Sequence, residues 1–454
     1  MGYLLASVAV LLVSLLLFKR AAGTLSPLKP NLISLIFYYN VLAQTFIAAV
    51  LAVLDLDNHY VIGSTSEEVR VYAWLSVMYM MVAFPLGMLI AKSLFARRQS
   101  MGELLHNYVV APVGVKGVYG NSLRYSVWVF TVVSILACVY TFWRIGYFPF
   151  VKVWTSSASE LISARISVSR DFSGNVYVRN LLALSLMPVL SYVWMFYYIA
   201  TRRLTDILMV GVTVLFSASI LYYDFSKAPL LWYFISFIFV YFYALGRVRG
   251  SHIVVSGALA FFGLVLMYSL SGVSMAAFAS YNSGPVGRVV LGQSAGLFVV
   301  FDIFPGRYDF IGFSSLSNLL STLFNYEYVD RAARIAMAHF RPSAVADGEA
   351  GVMNSIFIAE AWANFGVIGI LLSPFWVGFI LQSLYIFFLR RPKNPVYLSF
   401  FVSFSVGGSV TGGFNDYIYN PGVLFMVVLF VLIMVFALWI QCLSDFKYKN
   451  ARNI

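Results

Sequence analysis

The chain has 454 residues, 61% of them hydrophobic and only 11% charged, with a mean hydropathy of +0.85. Soluble domains run nearer ~45–50% apolar and ~25% charged, so too few charges are present to clothe a water-facing surface. Soluble domains are excluded, and the expected class is an all-α polytopic membrane protein, a single transmembrane domain over 1–454. The 18% aromatic content suits membrane-interface belts. Cys138 and Cys442 both fall in apolar runs and offer neither a disulfide framework nor a metal spacing.

A spanning helix needs ~20 mostly apolar residues, because bare backbone polar groups cannot sit in hydrocarbon. In chain order, eleven stretches meet that need: roughly 2–18, 31–54, 71–95, 125–143, 180–200, 207–223, 228–246, 253–272, 364–389, 396–413 and 423–441. The first has no basic residue ahead of it and is followed by Lys19 and Arg20, the pattern of a retained span and not of a cleaved leader. Alternate connections collect 18 of the 30 Lys and Arg residues but only three acids, Glu103, Asp206 and Asp445. By the positive-inside bias that side is cytoplasmic, with the N-terminus outside and the C-terminus inside. The net charge of +12 is mostly this bias and calls for no nucleic-acid partner.

Two outer loops are long, 144–179 and 273–363, and long loops in a compact fold are usually functional. Helix interiors are nearly free of charge, whereas pumps keep ionisable groups at mid-membrane. Asp224, Lys227, Glu360 and Asp416 all fall near outer helix ends, which points to chemistry at the outer surface.

Loop 144–179 carries Arg144, Lys152, Arg165, Arg170 and Arg179 against two acids. A guanidinium fork matches phosphate oxygens, so this excess is a candidate pyrophosphate cradle. The competing reading is snorkelling to lipid headgroups, strongest for Arg179 at a helix start. Arg165 and Arg170 have no acid at i±3 or i±4.

Loop 273–363 carries Arg288, Arg307, Arg331, Arg334 and Arg341. Its stretch 327–341 predicts an amphipathic helix ended by Pro342, with Glu327–Arg331 and Asp330–Arg334 paired at i,i+4. Arg341 and Arg288 lack such partners and are the better phosphate candidates. His339 is the candidate base, against the alternative of a structural histidine. Glu349 and Glu360 are rival carboxylates. Lys227, in the short connection from Asp224, can touch phosphate or pair with Asp224. Gly407, Gly408, Gly412 and Gly413 read as a tight helix contact. The sequence contains no Walker loop, no GxGxxG after a strand and no HExxH, so a cytosolic nucleotide donor is not expected.

Ser226-Lys227-Ala228-Pro229 opening a helix, and the run FIAEAWANFGVIGILLSPFWVGFIL from Phe357 to Leu381, carry a family likeness. Together with the hydropathy profile and the arginine-bearing outer loops, they resemble the bacterial Wzy-type O-antigen polymerases, which are related to the O-antigen ligases. The resemblance implies a GT-C-like fold and a metal-independent glycosyltransferase without cofactors. It implies undecaprenyl-pyrophosphate-linked oligosaccharide as donor and acceptor, the inner-membrane bilayer as surroundings, and a chain-length regulator as partner. The alternatives are a ligase that transfers glycan to lipid A–core, and a lipid-linked oligosaccharide flippase. A flippase predicts charges around a central cavity between two similar halves, and the sequence has neither.

Overall fold

The computed structural model describes the chain apart from residues 116–119, 171, 247, 270–273, 349 and 453–454, and apart from the side chains of 154, 158, 159, 162, 169, 170, 446–452 and several within 252–267. The described residues are 76% helical and hold no strand. Nine of their helices are long and apolar enough to cross a membrane, or ten if the bent pair Met275–Gly292 and Ala295–Ile303 is one span. The protein is a multi-pass helical membrane protein.

The expected stretch 253–272 forms the 20-residue helix Gly250–Ser269. Two other expected stretches depart from a simple reading. The stretch 396–413 is helical only over Pro395–Gly407, 13 residues. Gly412 and Gly413 lie beyond its end, so they do not form the helix contact expected of them. The stretch 273–363, expected to be a loop, is itself partly apolar helix. In Ala295–Ile303 eight of the nine residues are buried, and its partner helix bends away by 66°. Nine apolar residues are too short to register as a span, which is why the sequence reads as loop there.

The chain divides into two compact units. The first comprises Met1–Leu105, Gly257–Leu389 and Gly407–Asn420. Its core is the pairing of two long helices, Glu67–Phe95 and Phe357–Leu389. Glycines face each other's backbone there: a Cβ at Gly87 would collide with Phe375, and one at Gly378 with Phe84. Association in lipid depends on such close backbone approach, because lipid tails are as apolar as leucine. Phe18 packs against Phe37 and Phe84, closing Gly2–Ala22 onto the pair. The helix Phe357–Leu389 breaks at Gly366, whose φ of 59° and ψ of −138° lie outside the reach of most L-residues. The break isolates a short N-terminal piece that carries Glu360.

The second unit comprises His106–Ser256, Arg390–Val406 and Pro421–Ile454. Buried Ala137, Cys138, Ala183, Met187 and Ile220 form a core between its helices. Asp206, fully buried, pairs with Arg124, whose guanidinium also faces the rings of Trp194 and Tyr197. Lys393 is buried as well. Its ammonium donates to the carbonyls of Val109 and Ala111, the first of them at the end of helix Met101–Val110.

Candidate functional site

A nine-residue helix, Ala332–Phe340, organises the polar side of the first unit. It is shorter than the 327–341 expected. Arg331 is its N-cap, in extended backbone at φ −65° and ψ 148°. The expected pairs within the helix do not form. Arg331 Nε donates to Glu360 Oε1 at 2.7 Å, Nη2 to Oε2 at 2.9 Å, and Nη1 to Asp416 Oδ1 at 2.9 Å. Arg334 Nη1 donates to the carbonyls of Ala350 (3.0 Å) and Gly351 (2.6 Å). An exposed i,i+4 pair is worth only ~0.2–0.5 kcal/mol, so a two-pronged bond to a buried carboxylate outcompetes it. Burial of Arg331 opposes its charge, but the bonds to Glu360 and Asp416 outweigh burial and raise its pKa above the ordinary guanidinium value.

Glu360 also accepts from the backbone N–H of Asn415 at 2.8 Å. With three donors on its two oxygens, it anchors Arg331. Behind it a buried polar network continues inwards. Asn364 donates to Asn415 at 2.9 Å, and Asn415 donates to the hydroxyl and carbonyl of Ser315. Gly413 packs so closely over the ion pair that a Cβ would collide with both Arg331 and Glu360. Asp416 differs from Glu360 in exposure, its side chain being 32% accessible against 5%. It opens onto a cavity of about 200 Å³ whose walls include Arg331, Asn354, Ser355, Thr411, Gly413 and Glu360.

The other end of the same helix carries a second cluster. His339 Nε2 lies 3.1 Å from Arg307 Nη1, and Tyr308 meets the imidazole edge-on at 6.1 Å. A guanidinium only donates, so Nε2 is the acceptor and the ring proton is assigned to Nδ1. Arg341 caps the helix C-terminus with its guanidinium over the Tyr60 ring at 5.2 Å. Arg307 and Arg341 are both exposed. At 1.5 Å rise per residue, the two clusters sit about 12 Å apart along the helix.

Of the candidates read from sequence, His339 meets Arg307, and Arg341, two residues further on, lies over Tyr60. Glu360 belongs to the cluster at the opposite helix end. Arg288 is exposed, after the turn at Gly284. Glu349 lies outside the described residues. Arg165, Arg170, Arg179 and Lys227 belong to the second unit. Arg165 is exposed on helix Ala158–Arg170, and the Arg170 side chain lies outside the described residues. Arg179 is buried, bonded to the Val168 carbonyl and Asn180, with its guanidinium 4.4 Å from the Phe172 ring centre. It ties loop 144–179 to its helix. Lys227 opens the helix Lys227–Leu245, while Asp224 accepts from the Ser226 N–H and hydroxyl.

Sequence reasoning missed the partnership of Arg307 with His339, and the joining of Arg331 to Glu360 and Asp416. One signal was available: an aspartate three residues after a Gly-Gly pair, in an otherwise apolar stretch. No protein family, curated protein or solved structure matches this chain.

Proposed function

We propose that this protein is a bacterial inner-membrane glycosyltransferase that polymerises undecaprenyl-pyrophosphate-linked oligosaccharide units at the periplasmic face. The observation that carries the reading is the pairing of Arg307 with His339, with Arg341 two residues further on at the same helix end over Tyr60, in a unit built on membrane-length apolar helices. It combines two exposed guanidinium groups, suited to phosphate, with one group suited to moving a proton. The sequence likeness supplies the substrate class.

In this mechanism the donor pyrophosphate draws Arg307 and Arg341 onto its oxygens. Arg307 then leaves His339 Nε2, which is freed as a base. The acceptor hydroxyl oxygen forms a bond to the anomeric carbon as the bond from that carbon to the pyrophosphate oxygen breaks. The proton passes to His339, and the lipid pyrophosphate leaves with the bonding pair, its charge held by the arginines. Coupling phosphate binding to release of the base restrains proton transfer until the donor is present.

The test is polymer formation by the purified full chain supplied only with lipid-linked repeat units. A ladder of products supports the reading. Absence of polymer, with transfer only when a lipid A–core acceptor is added, replaces it with a ligase.

A further inference from the structure

The cavity beside Asp416 is not used by the transfer step, since it opens at the far end of the helix from His339. We infer that it is a binding subsite for one uncharged sugar ring of the glycan, with Asp416 as the group that accepts its hydroxyls. The ligand class rests on the glycosyltransferase reading; the site itself rests on the geometry below.

Size sets the first limit. Pockets for drug-sized ligands run ~300–1,000 Å³, and about 200 Å³ suits a single ring and excludes an oligosaccharide or a polyprenyl tail. Lining sets the second. Val300, Val352 and Ala359 give an apolar wall, while Asn354, Ser355 and Thr411 add short polar groups. A sugar ring has that mixture, an apolar face edged by hydroxyls. The Asn354 side chain makes no hydrogen bond among the described residues.

Charge sets the third limit. The charged groups on the lining are Arg331, Glu360 and Asp416. Arg331 bonds both carboxylates, and Glu360, which already accepts three donors, is 5% exposed against 32% for Asp416. Asp416 takes one bond on Oδ1 from Arg331 and one on Oδ2 from the Gly413 N–H, so a lone pair remains on each oxygen. Its two oxygens can accept a pair of neighbouring hydroxyls. With two carboxylates against one guanidinium the site carries net negative charge, so a uronic acid is repelled. The offset of about 12 Å from His339 places the ring further along the glycan and away from the reacting carbon.

The test uses the purified full chain in detergent and saturation-transfer NMR with methyl glycosides of glucose, galactose, mannose and N-acetylglucosamine, beside glucuronate and galacturonate. At least one neutral glycoside should receive saturation and the uronates should not. Ser355→Trp, which fills the cavity, and Asp416→Ala should each reduce that signal at least fivefold, with unfolding midpoints checked separately. Asp416→Asn removes the charge at constant shape and should admit a uronate. Signals unchanged in Ser355→Trp and Asp416→Ala, equal transfer to uronates in the wild type, or no glycoside signal at all each overturn the inference. Binding is read without turnover, so loss of the subsite leaves the polymerase reading intact if the wild type still makes polymer. Binding without polymer removes that reading and keeps the subsite.

Discussion

Arg331 and Glu360, 29 residues apart, form a two-pronged ion pair in which Nε and Nη2 of the guanidinium meet the two carboxylate oxygens at 2.7 and 2.9 Å. The carboxylate is 5% exposed and the guanidinium 33%. The pair joins the start of helix Ala332–Phe340 to the N-terminal piece of Phe357–Leu389, so it fixes where that helix begins.

Removing the two partners of such a pair should not be additive. Breaking a buried ion pair costs ~3–5 kcal/mol, and partial exposure of Arg331 places the cost near the low end. Arg331→Met should lower stability by about 3 kcal/mol in denaturant unfolding of the detergent-purified protein. Arg331→Met with Glu360→Gln should cost less than the sum of the single changes. Strict additivity would show that the two side chains do not interact.

Gly413→Ala should act on the same pair without touching a charge. The new methyl group collides with Arg331 and Glu360, and overpacking of this kind costs ~1–3 kcal/mol. Gly407→Ala, with open space around it, is the control and should be near neutral. A Gly413→Ala protein as stable as wild type would mean the loop does not press on the ion pair.

Turnover should separate the two helix ends. His339→Gln should cut polymerisation by about 10²–10⁴-fold, the usual worth of a general base. Arg307→Gln and Arg341→Gln should each cost roughly 10²–10³-fold, as for a lost donor to a developing negative charge. Arg165→Ala and Arg288→Ala, at exposed positions without local acids, should also lower the rate if they reach phosphate. The measurement is initial rate on purified lipid-linked units. Near-normal turnover of His339→Gln would sink the proton-transfer role.

Burial pushes the Lys393 ammonium down to about 8 from its ordinary 10.5. Between those values the unfolded chain holds more protons than the folded one, so stability rises with pH across that window. The cost of burying the charge is fully present below pH 8 and gone above about 10.5. Lys393→Met should therefore be most stabilising, relative to wild type, below pH 8, offset by a constant loss of the two carbonyl contacts. Unfolding midpoints of both proteins from pH 7 to 10.5 should converge upwards from the wild-type side; a flat difference contradicts the shift.

Orientation is testable with single cysteines in a Cys138→Ser, Cys442→Ser background. Ser167→Cys and Ser343→Cys, both exposed, should react with an impermeant thiol reagent from outside the inner membrane, and Ser100→Cys and Asn394→Cys should not. Labelling of Ser100→Cys from outside would reverse the topology.

The membrane class and most of the long helices were legible in the sequence because they depend on local composition. An apolar run of membrane length has one way to satisfy its backbone, whatever its neighbours do. Arg341 was likewise legible as an arginine without an acid one helical turn away. The sequence did not reveal where charges pair. Sorting Arg331 and Arg334 by acids one helical turn away assumed a helix from 327, and distant Glu360, Asp416 and two backbone carbonyls won instead. Nor did it reveal that Gly413 guards an ion pair, that Ala295–Ile303 is a buried helix within the stretch expected to be a loop, or that Gly366 breaks the longest apolar run. Apolar runs are set by residues adjacent in the chain, whereas ion pairs, buried short helices and close glycine contacts are set by residues tens of positions apart. Only the folded chain brings these together and decides which partner is nearest.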